Sequence, residues 1–411
     1  MARRVSPLHV GLGGALLALT FVALRLAIAA HGDISRFVVA GTTFVDPARV
    51  PAGAGSLHVF PSAGYDGQFF WRLAVDPTDW HVASHHGVTF DSAYRAPRIG
   101  YPALAHLAAG GRADLVVWSL VGVNVVAMGA VAYGGARLAA GAGRSAVWGL
   151  AIAAAPGLVL ALGRDLAECV TVASLVGGIA ALQVRRPLVA TTAWTLAVLS
   201  REQALLTIGA YAACRLFVVT APHLTPGTSA LGRWLEQSPP GERRPRDARW
   251  GTADLPWVVP VVAFAAWQGV LWHATGRLPL AAAGGTNLVP PFRDMVPGLV
   301  GWATGDLGRF HAVAPLQLAV AIALVVAAAR VARTVPPPER FTVVALALAT
   351  VAGTCLARSI WRDPSDLRHL VDVSVLSWVV LLAADRPVPR WAPWATALVW
   401  LATASARVVA V

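Results

Sequence analysis

The stretch LHVGLGGALLALTFVALRLAIAA, residues 8–30, decides the fold class of this protein. A helix of about 20 predominantly apolar residues crosses the hydrocarbon core of a bilayer, so this run is long enough to span. Two arginines, Arg3 and Arg4, precede it, and a cleaved signal peptide is therefore an alternative. The length of the run favours a retained first transmembrane helix.

The composition extends this interpretation to the whole chain. Of its 411 residues, 56% are hydrophobic and 13% are charged, and the mean hydropathy is +0.61. No soluble domain of this length needs so much apolar surface, so the sequence predicts an all-α polytopic membrane protein. The apolar runs predict about eleven transmembrane helices, near 8–30, 115–136, 146–163, 166–184, 187–200, 203–220, 255–274, 314–332, 341–357, 369–384 and 391–410. Several runs are short, as in broken or half-crossing helices.

The charge of the chain indicates its topology. The 33 basic residues are all arginines, and the net charge is +12. They stand mostly at the ends of apolar runs, where topology and anionic lipid head groups explain them without nucleic acid as a partner. Their distribution predicts a cytoplasmic N-terminus and an extracytoplasmic first loop. A composition rich in Ala, Gly, Arg and Pro is typical of GC-rich bacterial genomes, so we expect a bacterial plasma membrane.

Three parts follow from the pattern of runs. Residues 1–220 form a membrane module that includes the long outer loop 31–114. Residues 221–254, with SPPGERRPRDARW, are rich in proline and arginine and predict a cytoplasmic linker, and residues 255–411 hold the C-terminal transmembrane helices. The three cysteines are far apart and predict neither a disulfide framework nor a zinc site.

Polar residues collect in segments that this topology places on the outer side. The first is GYDGQFFWRLAVDP, 64–77, and the others are YRAPRIGYPALAHLAAGG (94–111), GRDLAEC (163–169), LSREQALL (199–206) and RSIWRDPSDLRH (358–369). Each segment alone has a simpler explanation, because Asp66 can cap a helix, aromatic residues can form an interfacial belt, and arginines can pair with acids at helix ends. Five such segments on one face favour a shared cavity.

The first of these segments resembles a known motif. YDGQFFWRLAVDP resembles the Trp/Tyr-Asp-Gly-x-x-Phe/Tyr-x-x-x-Ala segment of polytopic glycosyltransferases of the GT-C fold. YRAPRIGYPALAHLAA, DLAEC and LSREQALL are similar to segments of bacterial relatives of the GPI mannosyltransferase that adds the second mannose. The resemblance covers roughly residues 8–220 and is loose beyond them, and Gln203 stands where threonine is common.

This resemblance implies a function. Such enzymes move a sugar, here expected to be mannose-like, from a polyprenyl-phosphate donor to a lipid, glycan or protein acceptor on the outer face. The usual catalytic carboxylate is an aspartate in the first outer loop, which is Asp66 by the motif. Transfer in such enzymes is commonly inverting.

The residue types agree with that chemistry. An acceptor hydroxyl needs a carboxylate to take its proton, which contributes ~10²–10⁴ in rate, and arginine forks suit the phosphate of the leaving lipid. We expect Asp66 to act as the base. Glu168 either orients the acceptor or holds a divalent cation together with Asp66, and the sequence does not decide between these two roles. The predicted substrate-binding residues are Tyr65, Gln68, Phe69, Arg95, Arg98, Arg201, Glu202, Arg358, Arg362 and Arg368.

The neighbours of Asp66 have predicted roles as well. We expect Tyr65, Phe69, Phe70 and Trp71 to stack on the sugar or to guide the prenyl chain. We expect Gly64 and Gly67 to leave room for the close approach of a substrate.

Two other functions stay open from the sequence. A transporter or flippase for a lipid or amphiphile predicts polar residues along a path through the membrane. A non-catalytic membrane protein of the same fold is the third reading. A cavity over Asp66 that opens on one face favours the enzyme, whereas a continuous polar channel favours the transporter.

Overall fold

A computed structural model describes residues 5–220, 250–282, 288–304 and 313–409. Within these ranges, the side chains of residues 218, 220, 303, 304, 362 and 364–366 are not described. Most of the predicted linker, 221–254, therefore lies outside the described residues, as does the side chain of Arg362.

The described residues are mostly helical, with a long first loop between the first two long helices. The helices are α1 (Pro7–Ile28), α2 (Gly67–Val75), α3 (Gly100–Ala108), α4 (Val116–Gly141), α5 (Gly149–Ala153), α6 (Pro156–Leu162), α7 (Glu168–Gln183), α8 (Pro187–Ser200), α9 (Ala204–Thr220), α10 (Leu255–Thr275), α11 (Pro279–Ala282), α12 (Met295–Thr304), α13 (Val313–Val331), α14 (Arg340–Thr354), α15 (Arg358–Arg362), α16 (Val371–Ala383) and α17 (Trp391–Val408). Two strands, β1 (Ala40–Gly41) and β2 (Val59–Phe60), pair in parallel within the first loop.

Four of the described helical segments are long and apolar enough to cross a membrane. They are Pro7–Ile28, Ala113–Gly141, Thr252–Thr275 and Val313–Thr334. Shorter apolar helices cover Glu168–Gln183, Pro187–Ser200 and Ala204–Phe217. Each of the eleven predicted runs contains helix, so an all-α membrane protein agrees with the structure, while the number of crossings stays a prediction.

Helix α16 forms the centre of the bundle. Every residue from Val371 to Leu382 is buried, and α16 packs against α13 and α14. Protein therefore surrounds α16 on all sides, whereas other apolar helices, such as α1, leave one face exposed. Its N-terminal end follows a 3-10 helix, Pro364–Leu370, which carries Arg368.

Small residues join α1 to α4. A Cβ atom on Gly14 would lie 2.5 Å from the Cβ of Ala132, and one on Gly11 would lie 2.9 Å from the Cβ of Tyr133. Such small residues let two helix backbones approach closely in a membrane, where van der Waals packing rather than the hydrophobic effect holds helices together. The opposite face of α1 exposes leucines, as expected for contact with lipid: Leu8, Leu12 and Leu16.

The first loop has a hydrophobic core of its own. Phe69, Phe70 and Trp71 on α2 are 3%, 4% and 0% exposed. Phe69 packs edge-on against Phe44 and Phe90, with centroids 5.6 and 5.8 Å apart. These three aromatic side chains therefore fill the loop's interior, and they neither form an interfacial belt nor face a substrate.

The glycines that flank Tyr65 and Asp66 serve backbone packing. A Cβ atom on Gly64 would lie 2.5 Å from the amide nitrogen of Gly41, and one on Gly67 would lie 2.5 Å from the carbonyl oxygen of Val38. Gly64 also adopts a φ of 67°, which favours glycine. The space beside both residues is filled by backbone, so they do not leave room for a substrate as the sequence suggested.

The substitution Gly67→Ala tests this packing. The added methyl group would meet two carbonyl oxygens, those of Val38 and Arg164, within 2.6 Å. We expect a loss of about 1–3 kcal/mol of stability, as for other overpacked sites, measured by thermal unfolding in detergent. Gly122→Ala on α4 is the matched control, because an added Cβ there meets nothing within 4 Å. Equal unfolding temperatures for the two variants would contradict the packing role.

Candidate functional site

The predicted outer segments meet around one cavity. Its volume is about 670 Å³, and it is lined by residues of four of the five sequence segments, all except GRDLAEC. The polar lining residues are Tyr65, Asp66, Tyr94, Arg95, Arg98, Arg201, Glu202, Gln203, Ser359, Arg368, His369 and Asp372. Segments far apart in sequence thus place their polar side chains together.

Asp66 lies at the N-terminus of α2 but does not cap the helix. Its side chain makes no capping hydrogen bond. Its carboxylate instead accepts from Arg95 Nη1 at 2.8 Å and from Arg368 Nη2 at 3.1 Å, and Arg98 Nη1 lies 3.6 Å away. The alternative prediction, that the side chain of Asp66 caps the helix, is therefore wrong.

Three guanidinium groups control the charge of Asp66. The carboxylate is 15% exposed, and burial alone would raise its pKa. Arg95, Arg368 and Arg98 outweigh burial and hold the pKa of Asp66 well below its usual range. Asp66 is therefore ionised at neutral pH, and in this state its oxygens are occupied by arginine.

Glu168 lies behind the cavity wall as a second buried carboxylate. It is 2% exposed, stands in the first turn of α7 and does not line the cavity. Its Oε1 accepts hydrogen bonds from Arg201 and from Arg368. Since a buried charge is costly without a partner, Glu168 positions these two guanidinium groups and does not face a substrate itself.

Arg368 joins the two carboxylates. It donates to Asp66 and to Glu168, and its Nε donates to the hydroxyl of Tyr65 at 3.0 Å. The ring of Tyr65 also lies under Arg164, whose guanidinium carbon is 4.2 Å from the ring centroid. The Tyr65 side chain is thereby held between two arginines at the cavity wall.

Glu202 is the third carboxylate of the site that pairs with arginine. Its two oxygens accept from Arg98 Nε at 3.1 Å and Nη2 at 2.7 Å, the fork geometry that arginine makes with carboxylates. The hydroxyl of Tyr94 donates to Glu202 and also accepts from Arg98. Burial would raise the pKa of Glu202, but Arg98 and the hydrogen bond from Tyr94 lower it to about 2.

Five polar lining residues were not predicted as site residues: Tyr94, Gln203, Ser359, His369 and Asp372. Arg201 Nη2 lies 2.6 Å from His369 Nδ1, so this ring nitrogen accepts the hydrogen bond. The signal for Tyr94 is its helical spacing, four residues before Arg98. His369 and Asp372 follow Arg368 at spacings of one and four residues, which is the corresponding signal for them.

Gln68 and Phe69 lie close to Asp66 but do not line the cavity. Gln68 is 1% exposed, accepts from the amide of Gly41 at 3.0 Å and donates to the carbonyl of Ala63 at 3.0 Å. The ring of Phe69 supports Arg95, whose guanidinium carbon is 4.8 Å from the ring centroid. Both residues therefore position the site from within the loop.

Arg358 is exposed, and its side chain also lies off the cavity. Its backbone amide donates to Asp294 Oδ2 at 2.9 Å. The side chain of Arg362, the other predicted phosphate ligand on α15, lies outside the description. Of the three arginines in RSIWRDPSDLRH, the structure thus brings Arg368 into the site and leaves Arg358 outside it.

The paired carboxylates do not fit a divalent cation. A metal held by Asp66 and Glu168 would require Arg368 to leave the position in which it donates to both of them. The described arrangement places cations, not vacant oxygen ligands, between the two acids.

The remainder of the cavity wall is apolar. It is formed by Leu205 and Leu206 on α9, Ala349 and Ala352 on α14, and Leu280, Leu288 and Leu356. One part of the cavity therefore offers guanidinium groups and the other offers aliphatic surface.

Comparison with known proteins identifies no relative. No family model matches the chain, and no curated protein or solved structure is significantly similar to it.

Glu202 makes the stability of the site depend on pH. An unfolded glutamate titrates near pH 4.3, whereas the folded pKa of Glu202 is lowered to about 2. The stabilisation is therefore fully present above the unfolded pKa and is lost as the pH falls toward the folded value. We expect Glu202→Gln to unfold at a lower temperature than the wild type at neutral pH, with a gap that narrows below about pH 4.

Thermal unfolding across this pH range is the measurement. Asp114→Asn is the control, because Asp114 forms an exposed pair with Arg112 and exposed pairs contribute little. A gap between Glu202→Gln and the wild type that stays constant with pH would show that the charge of Glu202 does not contribute.

Proposed function

We propose that this protein is an integral membrane glycosyltransferase that moves a sugar from a polyprenyl-phosphate donor to an acceptor, with Asp66 as the general base. One observation carries the proposal: a carboxylate lies among three guanidinium groups in a cavity that also has an aliphatic wall. A lipid-linked phosphate needs such a cationic and apolar combination, and an acceptor hydroxyl needs such a carboxylate.

Recognition of the donor rests on arginine. The cavity is lined by four arginines, Arg95, Arg98, Arg201 and Arg368. It is also lined by three acids, Asp66, Glu202 and Asp372. Guanidinium forks bind phosphate oxygens through paired hydrogen bonds. These bonds strengthen where water is excluded, and negative charge grows on the phosphate as the glycosidic bond breaks. The aliphatic wall supplies contact area for the first units of the prenyl chain.

Activation of the base follows from competition for these arginines. With its oxygens held by Arg95 and Arg368, Asp66 is a weak base, because its pKa lies well below its usual range. A donor phosphate that binds the same guanidinium groups weakens their pairing with Asp66 and raises its pKa. Binding of the donor thereby prepares the carboxylate to accept a proton.

The transfer step balances on these groups. The acceptor hydroxyl gives its proton to an Asp66 carboxylate oxygen as its oxygen bonds to the anomeric carbon. The bond from that carbon to the phosphate oxygen breaks, and the phosphate keeps the electron pair. The arginines neutralise the resulting charge, while Glu168 and Tyr65 hold Arg368 in place.

One observation argues against a transporter. A second cavity is lined only by segments that the sequence predicts on the inner side. Its lining includes Arg144, Gln183, Glu339 and Asp385. Helix α16 runs from one cavity to the other, and its residues between them are buried. Within the described residues the two cavities share no lining residue, which favours chemistry on one face over a path across the membrane.

The role of Asp66 is tested by Asp66→Asn. The sugar and acceptor are first identified by lipid mass spectrometry and envelope glycan analysis of a deletion strain, and transfer is then measured in membranes. We expect a loss of about 10²–10⁴ in rate, because the amide cannot take the proton. Asp91→Asn is the control, since Asp91 also pairs with Arg95 but does not line the cavity, and its loss should be much smaller. Full activity of a folded Asp66→Asn protein would remove Asp66 from the reaction.

The role of arginine in donor binding is tested by Arg368→Lys. Lysine keeps the charge but loses the fork, and a charged hydrogen bond is worth about 1.5–3 kcal/mol. We expect the KM for the donor to rise roughly tenfold or more and to depend on salt. Arg358→Lys is the matched control on a side chain outside the cavity and should leave the KM unchanged. Equal effects of the two substitutions would contradict a specific phosphate site.

A further inference from the structure

The first loop contains a second polar cluster, away from the cavity. Asp76, His85 and His86 place one ligand atom each within 4.8 Å of one another. None of the three lines the cavity. Asp76 follows the last residue of α2, whose first turn adjoins Asp66.

The backbone brings the two histidines together in a tight turn. The amide of His85 donates to the carbonyl of Val88 at 3.0 Å, and the amide of Val88 donates to the carbonyl of His85 at 2.9 Å. His86 and Gly87, between them, have φ values of 50° and 80°. A left-handed conformation is uncommon for histidine and is found where the surrounding structure imposes it. It sets the two imidazole rings 3.9 Å apart between centroids.

Asp76 presents one carboxylate oxygen to this turn. Its Oδ1 accepts from the amide of Thr78 at 2.9 Å and from the hydroxyl of Thr78 at 2.6 Å. Its Oδ2 lies 3.2 Å from His85 Nε2. The Thr78 hydrogen bonds therefore fix the carboxylate through one oxygen and direct the other toward His85.

A second carboxylate orients His85 from behind. His85 Nδ1 lies 2.9 Å from Asp79 Oδ2, so a carboxylate stands beside the ring nitrogen that does not face Asp76. A carboxylate that holds the far nitrogen of a histidine is the usual outer partner of a metal ligand. Arg72 of α2 fixes the surrounding turn, because it donates to the carbonyls of His81 at 2.7 Å and Val88 at 2.8 Å.

We propose that Asp76, His85 and His86 bind a divalent transition-metal ion, for which Zn²⁺ is the best match. Zinc takes imidazole nitrogen and carboxylate oxygen at about 2.0–2.2 Å in a tetrahedron, which separates two ligand atoms by about 3.3 Å. The distance of 3.2 Å between Asp76 Oδ2 and His85 Nε2 already meets this requirement. Water completes the fourth position. Two imidazoles disfavour Ca²⁺ and Mg²⁺, which prefer oxygen ligands.

The position of the cluster assigns the ion a structural role. It would lie at the C-terminus of α2, where the helix dipole favours a positive charge. It would join this helix end to the 85–88 turn. The chain between them packs on α10, since the rings of Trp80 and Trp267 lie 5.1 Å apart. The ion thus fixes the helix that carries Asp66 without taking part in the chemistry at Asp66, and the inference holds independently of the proposed glycosyl transfer.

Metal binding to the full-length protein in detergent tests the inference. A purification tag without histidine is used, the protein is stripped with EDTA and exchanged into metal-free buffer, and Zn²⁺ is titrated by calorimetry. We expect the wild type to bind one Zn²⁺ more than His86→Asn, since asparagine tolerates the left-handed backbone but is a poor zinc ligand. Asp76→Asn should lose the same equivalent.

His31→Asn is the matched control. His31 is an exposed histidine of the same loop with a φ of 52°, and it lies outside the cluster. It should bind as much Zn²⁺ as the wild type. Should His86→Asn fail to fold, the absorption spectrum of Co²⁺ bound to the wild type gives the second measurement, with a tetrahedral spectrum expected. Equal Zn²⁺ binding by folded wild type and His86→Asn, or a wild type that gives no tetrahedral Co²⁺ spectrum, would overturn the inference.

Discussion

A buried charge is costly unless it is paired, and Arg368 pairs with two carboxylates at once. Its guanidinium group donates hydrogen bonds to Asp66, to Glu168 and to the hydroxyl of Tyr65. Removing one member of such a group leaves an uncompensated buried charge. Because its members come from the first loop, α7 and the segment before α16, those three parts of the chain can hold only one relative arrangement at this end of the bundle.

The same ion pairs explain why the site carries a low-pKa carboxylate in a mostly apolar protein. Burial disfavours the charge on Asp66, and the surrounding guanidinium groups more than compensate for it. In the absence of a ligand, the arginines pair with Asp66, Glu168 and Glu202. An anionic ligand can then enter by exchange of partners, which costs less than insertion of a charge into an apolar cavity.

The sequence predicted the parts of the structure that depend on composition and spacing. Apolar runs located the helices, because apolar length is a one-dimensional property, and grouping of the polar segments by side anticipated the cavity. The sequence did not predict which side chains of each polar segment face the cavity. Gln68 and Phe69 pack within the loop, and Arg368, not Arg358, reaches Asp66. These choices depend on how short helices pack on the bundle, which spacing over five to ten residues does not determine. Likewise, length alone does not decide whether the helices of 13–17 residues cross.

The close contact between α1 and α4 has a consequence for the loop between them. Gly11, Gly14 and Ala132 let the two helix backbones approach closely, and the packed helices hold the two ends of the first loop in place. The entropy lost when the ends of a long segment are brought together grows only with the logarithm of its length. The packing of the two helices offsets this loss of entropy for the whole loop. The two packed helices thereby act as a clamp on the loop that they join.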